Sequence, residues 1–209
     1  MNGIAIHTAE LTKRFGELVA VESLTLDVRR GEVFGLLGPN GSGKTTTIRM
    51  LTGLLAPTSG VITVAGVYGL RRGARTAREA ELFSELGLDA RRNQLAGTLS
   101  GGWKQKLALA CATAHHPDLV FLDEPTAGVD PAARRNFWTM IRSLAAGGMT
   151  ILVTTHYMDE AARCDRLAFL SRGHLIGLGT PDEVTAQFGE ASVEDVFIAL
   201  QARDEGAGA

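Results

Sequence analysis

"EVFGLLGPNGSGKTT", residues Glu32 to Thr46, decides the fold. A short apolar run, Glu32 to Leu37, leads straight into glycines, and the glycines lead into a helix-forming stretch. Gly38, Gly43, Lys44 and Thr45 fall at the spacing G-x-x-x-x-G-K-[ST], in the strand, loop and helix context that this spacing requires. Glycines let backbone N–H groups turn inward around phosphate oxygens, and a helix N-terminus adds partial positive charge. The candidate phosphate cradle is Gly38, Pro39, Asn40, Gly41, Ser42, Gly43, Lys44, Thr45 and Thr46. Lys44 is expected to reach β- and γ-phosphates, and the Thr45 hydroxyl to ligate Mg²⁺.

Upstream of this stretch, "IAIHTAEL" and "VESLTLDV" alternate apolar and polar residues, as half-exposed antiparallel strands do. Downstream, "LVFLD" (Leu119–Asp123), "TILVTT" (Thr150–Thr155) and "RLAFLS" (Arg166–Ser171) are continuous apolar runs, which suit parallel strands covered on both faces. Helices between them carry start signals. Asp130–Pro131 is an N-cap with proline at the first helical position, and Gly147–Gly148 closes that helix. Thr180–Pro181 repeats the device, with Glu183 placed for a capping box. Ser192 and Asp195 form a further box ahead of Val193, Val196, Phe197 and Leu200, spaced i, i+3, i+4, i+7. The pattern predicts an α/β P-loop NTPase with a mostly parallel central sheet and an antiparallel β flap.

The 209 residues suffice for one medium domain with a core of its own. The net charge of −2 argues against a generally nucleic-acid-binding surface. Cys111 and Cys164 lie far apart without metal-type spacing, and read as two reduced thiols. No apolar run approaches the ~18 residues of a membrane span, and "MNGIAIHTAE" lacks the pattern of a signal peptide.

Three further sites carry chemistry. Asp123 and Glu124 stand at the end of "LVFLDEP", where a parallel strand faces the ligand crevice. Asp123 is the candidate for the Mg²⁺ shell and Glu124 for the general base that polarises a water. His156, after "TILVTT", is a candidate γ-phosphate contact. "TLSGGWKQKLALA" places Ser100, Gly101 and Gly102 before an apolar-periodic helix, a second candidate anion site; Gln105 reads as a surface residue of that helix. His7, His115, His116 and His174 read as structural.

Taken in order, "GPNGSGKTT", "LSGGWKQKLALA", "LVFLDEPTAGVD" and "TTHYMDEA" resemble the nucleotide-binding subunit of an ABC transporter, from about Ala9 to Leu200. The resemblance implies ATP and Mg²⁺ as ligands and ATP hydrolysis as activity. It implies that Phe15 stacks on adenine, that Ala127 to Asp130 form a loop communicating between subunits, and that Asp130 borders the nucleotide. It also implies that Ser100 to Gly102 complete the ATP site of an opposite copy. One phosphate loop and one signature per chain then make two sites when two chains meet head to tail. "LLGPNGSGKTTTIRMLTGLLAPTSG", "THYMDEAARCDRLAFLSRGHLIGLGTP" and "SVEDVFIAL" resemble ATPases that partner ABC-2 type permeases. Many of these export drugs or antibiotics, so the expected place is the inner face of the cell membrane, held there by the permease.

In that family a strand ending in glutamine follows the phosphate-loop helix, and a helical subdomain follows the strand. Here the only glutamine between Thr46 and Gly101 is Gln94, and no strand pattern precedes it. "SGVITVAG" resembles the strand after the phosphate-loop helix, while "VAGVYGLRRGARTAREAELFSELGL" resembles the start of the helical subdomain. The reading is one domain over 1–203, a shortened helical subdomain over about 66–116, a disordered tail over 204–209, and an in-frame deletion near Val64–Gly66; a naturally minimal domain is the alternative. The missing segment also raises a second functional reading, a regulator or remnant that binds ATP without driving transport. A third, action on nucleic acid, has only the basic residues Arg71, Arg72, Arg75, Arg78, Arg91 and Arg92 behind it, and glutamates interleave among them.

Overall fold

A computed structural model describes residues 3–65 and 81–206. Two sheets organise the chain. The first is antiparallel, in the order β2–β1–β4, with β1 Ile4–Phe15, β2 Leu18–Arg29 and β4 Ser59–Val64. The second runs β5–β6–β3–β7–β8, with β3 Val33–Leu37, β5 Leu119–Asp123, β6 Thr150–Thr155, β7 Arg166–Ser171 and β8 His174–Gly179. β3 is parallel to β6 and β7, and β6 to β5, as the continuous apolar runs predict. β8 is antiparallel to β7. No apolar run singled it out; its signal is the Arg172–Gly173 step, where both residues have positive φ (46° and 84°) and so match the twist of a two-residue hairpin.

The apolar strands are buried on both faces because each face has its own cover. Val33, Leu37, Ile151, Val153, Leu167 and Phe169 point to one side. There they meet Phe137, Trp138 and Ile141 of helix α3 (Pro131–Ala146) and Val193 and Val196 of helix α6 (Val193–Gly206). Phe34, Leu36, Leu152, Ala168 and Leu170 point to the other, against Ile48, Met50 and Leu51 of helix α1 (Lys44–Leu51) and the inner residues of β1 and β2. Each large side chain buried in this way contributes about 1.5–3 kcal/mol.

The caps at Asp130 and Thr180 form as the sequence sets them out, and the box expected at Ser192 forms in part. Asp130 Oδ1 accepts from the N–H groups of Ala132 and Ala133. Thr180 and Glu183 close a full capping box at helix α5 (Pro181–Phe188). At α6 the Ser192 hydroxyl accepts from the Asp195 N–H (3.1 Å) and donates to the Asp195 carboxylate (2.6 Å). The helix runs on to Gly206, through the first residues of the stretch read as a disordered tail. Cys111 and Cys164 are free thiols. The junction near Val64–Gly66 is described only as far as Ala65, and residues 66–80, half of the segment read in two registers, lie outside the described residues.

Among the described residues β5 is the outermost strand on its side of the sheet. Its burial declines along its length: Leu119 and Val120 are buried, Phe121 and Leu122 half-buried, and Asp123 exposed. The parallel arrangement brings the C-terminal ends of β3, β5 and β6 to the same edge, which is where the candidate site lies.

Candidate functional site

The loop after β3 is shaped by close approach. Gly38 has φ +150°, and a Cβ there would stand 2.2 Å from the Leu170 carbonyl oxygen and 2.5 Å from Ser42 Oγ. Gly43, the N-cap of α1, is left-handed, and no side chain caps the helix. The first-turn N–H groups of α1 are therefore left to a ligand or to water. Ser42 Oγ is buried inside the loop without a hydrogen-bond partner. The cradle thus offers uncapped backbone donors and an unsatisfied hydroxyl, the donor set that phosphate oxygens need.

Lys44 is buried, and its Nζ donates to the carbonyls of Gly38 (2.8 Å) and Pro39 (3.0 Å). Nζ also lies 3.7 Å from Glu124 Oε1. Burial lowers the Lys44 pKa from the usual lysine value, against the opposing pull of Glu124 and then Asp123. The ammonium is positioned by the loop backbone and faced by the two carboxylates at the end of β5.

Asp123 Oδ1 accepts from Thr154 Oγ1 at 2.6 Å and lies 3.4 Å from Thr45 Oγ1. A hydroxyl and a carboxylate oxygen side by side are hard oxygen donors of the kind Mg²⁺ takes. Glu124 has φ 46°, an uncommon conformation for a non-glycine residue and one that costs on the order of 1 kcal/mol or more. The conformation is held by its N–H, which donates to Thr154 Oγ1 (2.9 Å) and to the Thr154 carbonyl (3.2 Å). His156 Nδ1 stands 3.2 Å from Glu124 Oε2 without hydrogen-bond geometry. Lys44, Thr45, Asp123, Glu124 and His156 are thus one cluster.

The other predicted residues form a second group. Ser100 stands at the N-cap of helix α2 (Gly101–Thr113) in extended conformation, and no side chain caps that helix either. Gly102 packs against α3: a Cβ on it would stand 3.0 Å from Ala133 Cβ. Ser100, Gly102 and Asp130 share a cleft of about 220 Å³ with Trp103, Lys106 and Asn136. Asp130 itself is committed to capping α3. Phe15 is exposed at the end of β1, next to the two-residue turn of the β1–β2 hairpin, with Lys13 Nζ 5.1 Å from its ring centre.

Gln94 is held in its own loop: it accepts from Arg91 and donates to the Thr98 carbonyl and hydroxyl. Gln105 is half-buried rather than a plain surface residue. Arg91 stacks on Trp103 and Arg92 on Phe83, and Arg92 also pairs with Asp89. These two basic residues serve local contacts; Arg71, Arg72, Arg75 and Arg78 lie outside the described residues. Of two residues that sequence reading passed over, Thr154 bonds into the first cluster and Glu160 bonds to Thr126 and Thr155, which flank that cluster in the chain. Thr154 reads in the sequence only as part of an apolar strand, yet its single hydroxyl donates to the Asp123 carboxylate and accepts from the Glu124 N–H. Glu160 lies inside the quoted "TTHYMDEA" without a role, and is wholly buried.

A family model described as "ABC transporter" matches residues 21–75 and 68–127. The chain belongs to the ABC transporter family. It is 41% identical to the "probable multidrug ABC transporter ATP-binding protein YbhF" of Escherichia coli (strain K12), over 93% of this chain and 41% of that protein. The ABC chain therefore spans less than half the length of this relative. It is 37% identical to the "Nod factor export ATP-binding protein I" of Burkholderia orbicola (strain AU 1054), over 87% of this chain and 72% of that one. A solved "ATP binding subunit of ABC transporter" superposes with a TM-score of 0.82 at 28% identity, over 94% of this chain and 99% of that chain. The fold is that of an ABC-type P-loop NTPase, with its mixed central sheet, separate antiparallel sheet and helical subdomain. The alignment with the Escherichia coli protein covers 238 positions, whereas 93% of 209 residues is about 194, so about 44 aligned positions face no residue of this chain. The two stretches matched by the family model overlap at residues 68–75.

Proposed function

We propose that this ABC chain is an ATP-binding and ATP-hydrolysing subunit that powers a membrane permease of the ABC-2 type, in the direction of export. The observation that carries the reading is the cluster at the strand ends, where Lys44, Thr45, Asp123, Glu124 and His156 converge beside an uncapped phosphate loop. Thr45 Oγ1 and Asp123 Oδ1 are the protein oxygens that would hold Mg²⁺, which supplies neutralisation of phosphate charge when bound. Lys44 and the loop N–H groups bind the phosphates, and Phe15 supplies an exposed ring for adenine. Glu124 accepts the proton of the attacking water, and His156, with Nδ1 3.2 Å from the Glu124 carboxylate, contacts the γ-phosphate. Ser100, Gly102 and Asp130 line a separate cleft, which supports the service of the Ser100–Gly102 stretch and Asp130 to a second copy docked head to tail. Among the described residues no helix is long and apolar enough to cross a membrane; the chain would sit at the inner face of the cell membrane through its permease. Drugs or other exported molecules are the substrate class that the names of the relatives support.

The test is ATP turnover of the wild type against Glu124→Gln, with thermal unfolding measured with and without MgATP. Turnover above that of Glu124→Gln, together with a rise in Tm on MgATP, is expected. Equal rates for the two proteins refute the ATPase reading.

The second reading is a chain that binds ATP but hydrolyses or couples poorly, because an internal deletion has removed the strand and glutamine that precede the helical subdomain. Three observations support it. About 44 positions of the aligned relative face no residue here, the family matches overlap at 68–75, and Gln94 sits in a loop bonded to Arg91 and Thr98. The half-exposed outer strand β5 agrees with a sheet short of a neighbour. Binding is then expected to survive better than turnover. A purified turnover rate equal to that of an intact relative would overturn this reading.

A further inference from the structure

We propose that Glu160 is a positioning residue for hydrolysis, tying the loop that carries Glu124 to the segment that carries His156. The inference rests on the ATPase reading above. Glu160 lies on the short helix α4 (Met158–Ala161), and its side chain is fully buried. Both carboxylate oxygens are engaged by hydroxyls from different elements. Thr126 Oγ1 donates to Oε1, and Thr155 Oγ1 donates to Oε2 at 2.6 Å. Thr126 lies two residues after Glu124, and Thr155 immediately before His156. One carboxylate therefore clamps the two segments whose side chains meet at the Glu124–His156 contact of 3.2 Å.

The surroundings stiffen the clamp. Thr155 Oγ1 also accepts from the Tyr157 N–H at 3.0 Å, so this hydroxyl has one donor and one acceptor role and a fixed orientation. Arg134, from the first turn of α3, places Nε 3.5 Å from Glu160 Oε1 and Nη1 3.6 Å from Asp159 Oδ1. Its guanidinium lies 3.8 Å from the centre of the Tyr157 ring, and that ring centre is 4.1 Å from the centre of the His156 ring. A buried carboxylate is tolerated only when its oxygens are satisfied, and here the donors that satisfy it are the flanks of the two candidate catalytic side chains. The arrangement converts a requirement for burial into a fixed separation between Glu124 and His156. Geometry of this kind is rate-determining because a displacement of about 1 Å at reacting groups costs roughly 10²-fold in rate.

Three variants of the full chain separate positioning from folding. Thr126→Val keeps the shape and removes the donor, Thr126→Ser keeps the donor, and Glu160→Gln keeps the size but turns one acceptor into a donor. We expect Thr126→Val and Glu160→Gln to lower kcat by roughly tenfold or more with KM for MgATP within about twofold, and Thr126→Ser to restore most of the rate. Hydrogen exchange is the second readout. Thr126→Val should raise amide exchange in residues 124–130 and also across the clamp in 155–160. Wild-type kcat in a folded Thr126→Val protein, or a rise in exchange confined to 124–130, overturns the proposal. A wild type no faster than Glu124→Gln overturns the ATPase reading, and the hydrolytic role of Glu160 with it; that outcome is recognised before any clamp variant is compared.

Discussion

Replacing Thr154 with valine removes one hydroxyl of nearly unchanged size from the centre of the site. The side chain is fully buried, so the packing volume stays filled. Two hydrogen bonds go. One is the 2.6 Å donation to the Asp123 carboxylate, and the other is the 2.9 Å acceptance from the Glu124 N–H. A bond to a charged group contributes about 1.5–3 kcal/mol and a neutral one about 0.5–1.5. Two features of the structure reduce the net loss. Asp123 is exposed, so water replaces part of what its carboxylate gives up, and the Glu124 N–H keeps the Thr154 carbonyl at 3.2 Å. The expected cost is therefore about 1–2 kcal/mol. For a chain of this size each kcal/mol moves Tm by about 2–4 °C, which gives a fall of about 2–8 °C by calorimetry. Function should suffer more than stability. Asp123 loses the bond that orients it towards Thr45, and Glu124 loses one of two bonds that hold its strained backbone. The Mg²⁺ concentration for half-maximal turnover should rise, and kcat should fall by roughly tenfold or more. Thr154→Ser keeps the hydroxyl and should keep most of both. If Thr154→Val shows an unchanged Tm and an unchanged Mg²⁺ dependence, the hydroxyl holds neither the Asp123 carboxylate nor the Glu124 backbone in place.

Two other expectations concern stability. Burial raises the Glu32 pKa from 4.5, against hydrogen bonding by the Arg29 N–H and the charge of Arg166. The folded state therefore holds a proton that the unfolded state releases between pH 4.5 and the raised value, so the stability due to Glu32 is present in acid and is lost as pH rises through that window. The Tm of Glu32→Gln relative to wild type should accordingly be higher at pH 8 than near the usual glutamate pKa of about 4.3, and a difference independent of pH would count against the argument. Gly38→Ala would bring a Cβ within 2.2 Å of the Leu170 carbonyl in the core strand β7. The expected loss is about 2–4 kcal/mol, read from the denaturant midpoint with unchanged slope, and an unmoved midpoint would show that the loop yields freely.

The sequence determined the parts whose cause is local or periodic. The glycine spacing before Lys44 calls for a phosphate loop because left-handed and closely packed backbone admits little else. The continuous apolar runs imply strands covered on both faces, and the caps at Asp130 and Thr180 follow from side-chain chemistry within a few residues. The ordered motifs by themselves point to the family. Tertiary structure alone decided how those parts act on one another. Thr154 looks like any β-branched strand residue until β6 lies beside β5 in register, with Asp123 opposite Thr154. Glu160 looks like an ordinary helix glutamate until Thr126 and Thr155, 29 residues apart in the chain, meet its two oxygens. Arg134 and Tyr157 show no relation in one dimension and stack in three. Such contacts are fixed by strand register and helix packing, whose energies are summed over the whole core. A sequence motif records which groups the chemistry needs, while the burial and pairing that aim them come from the assembled sheet.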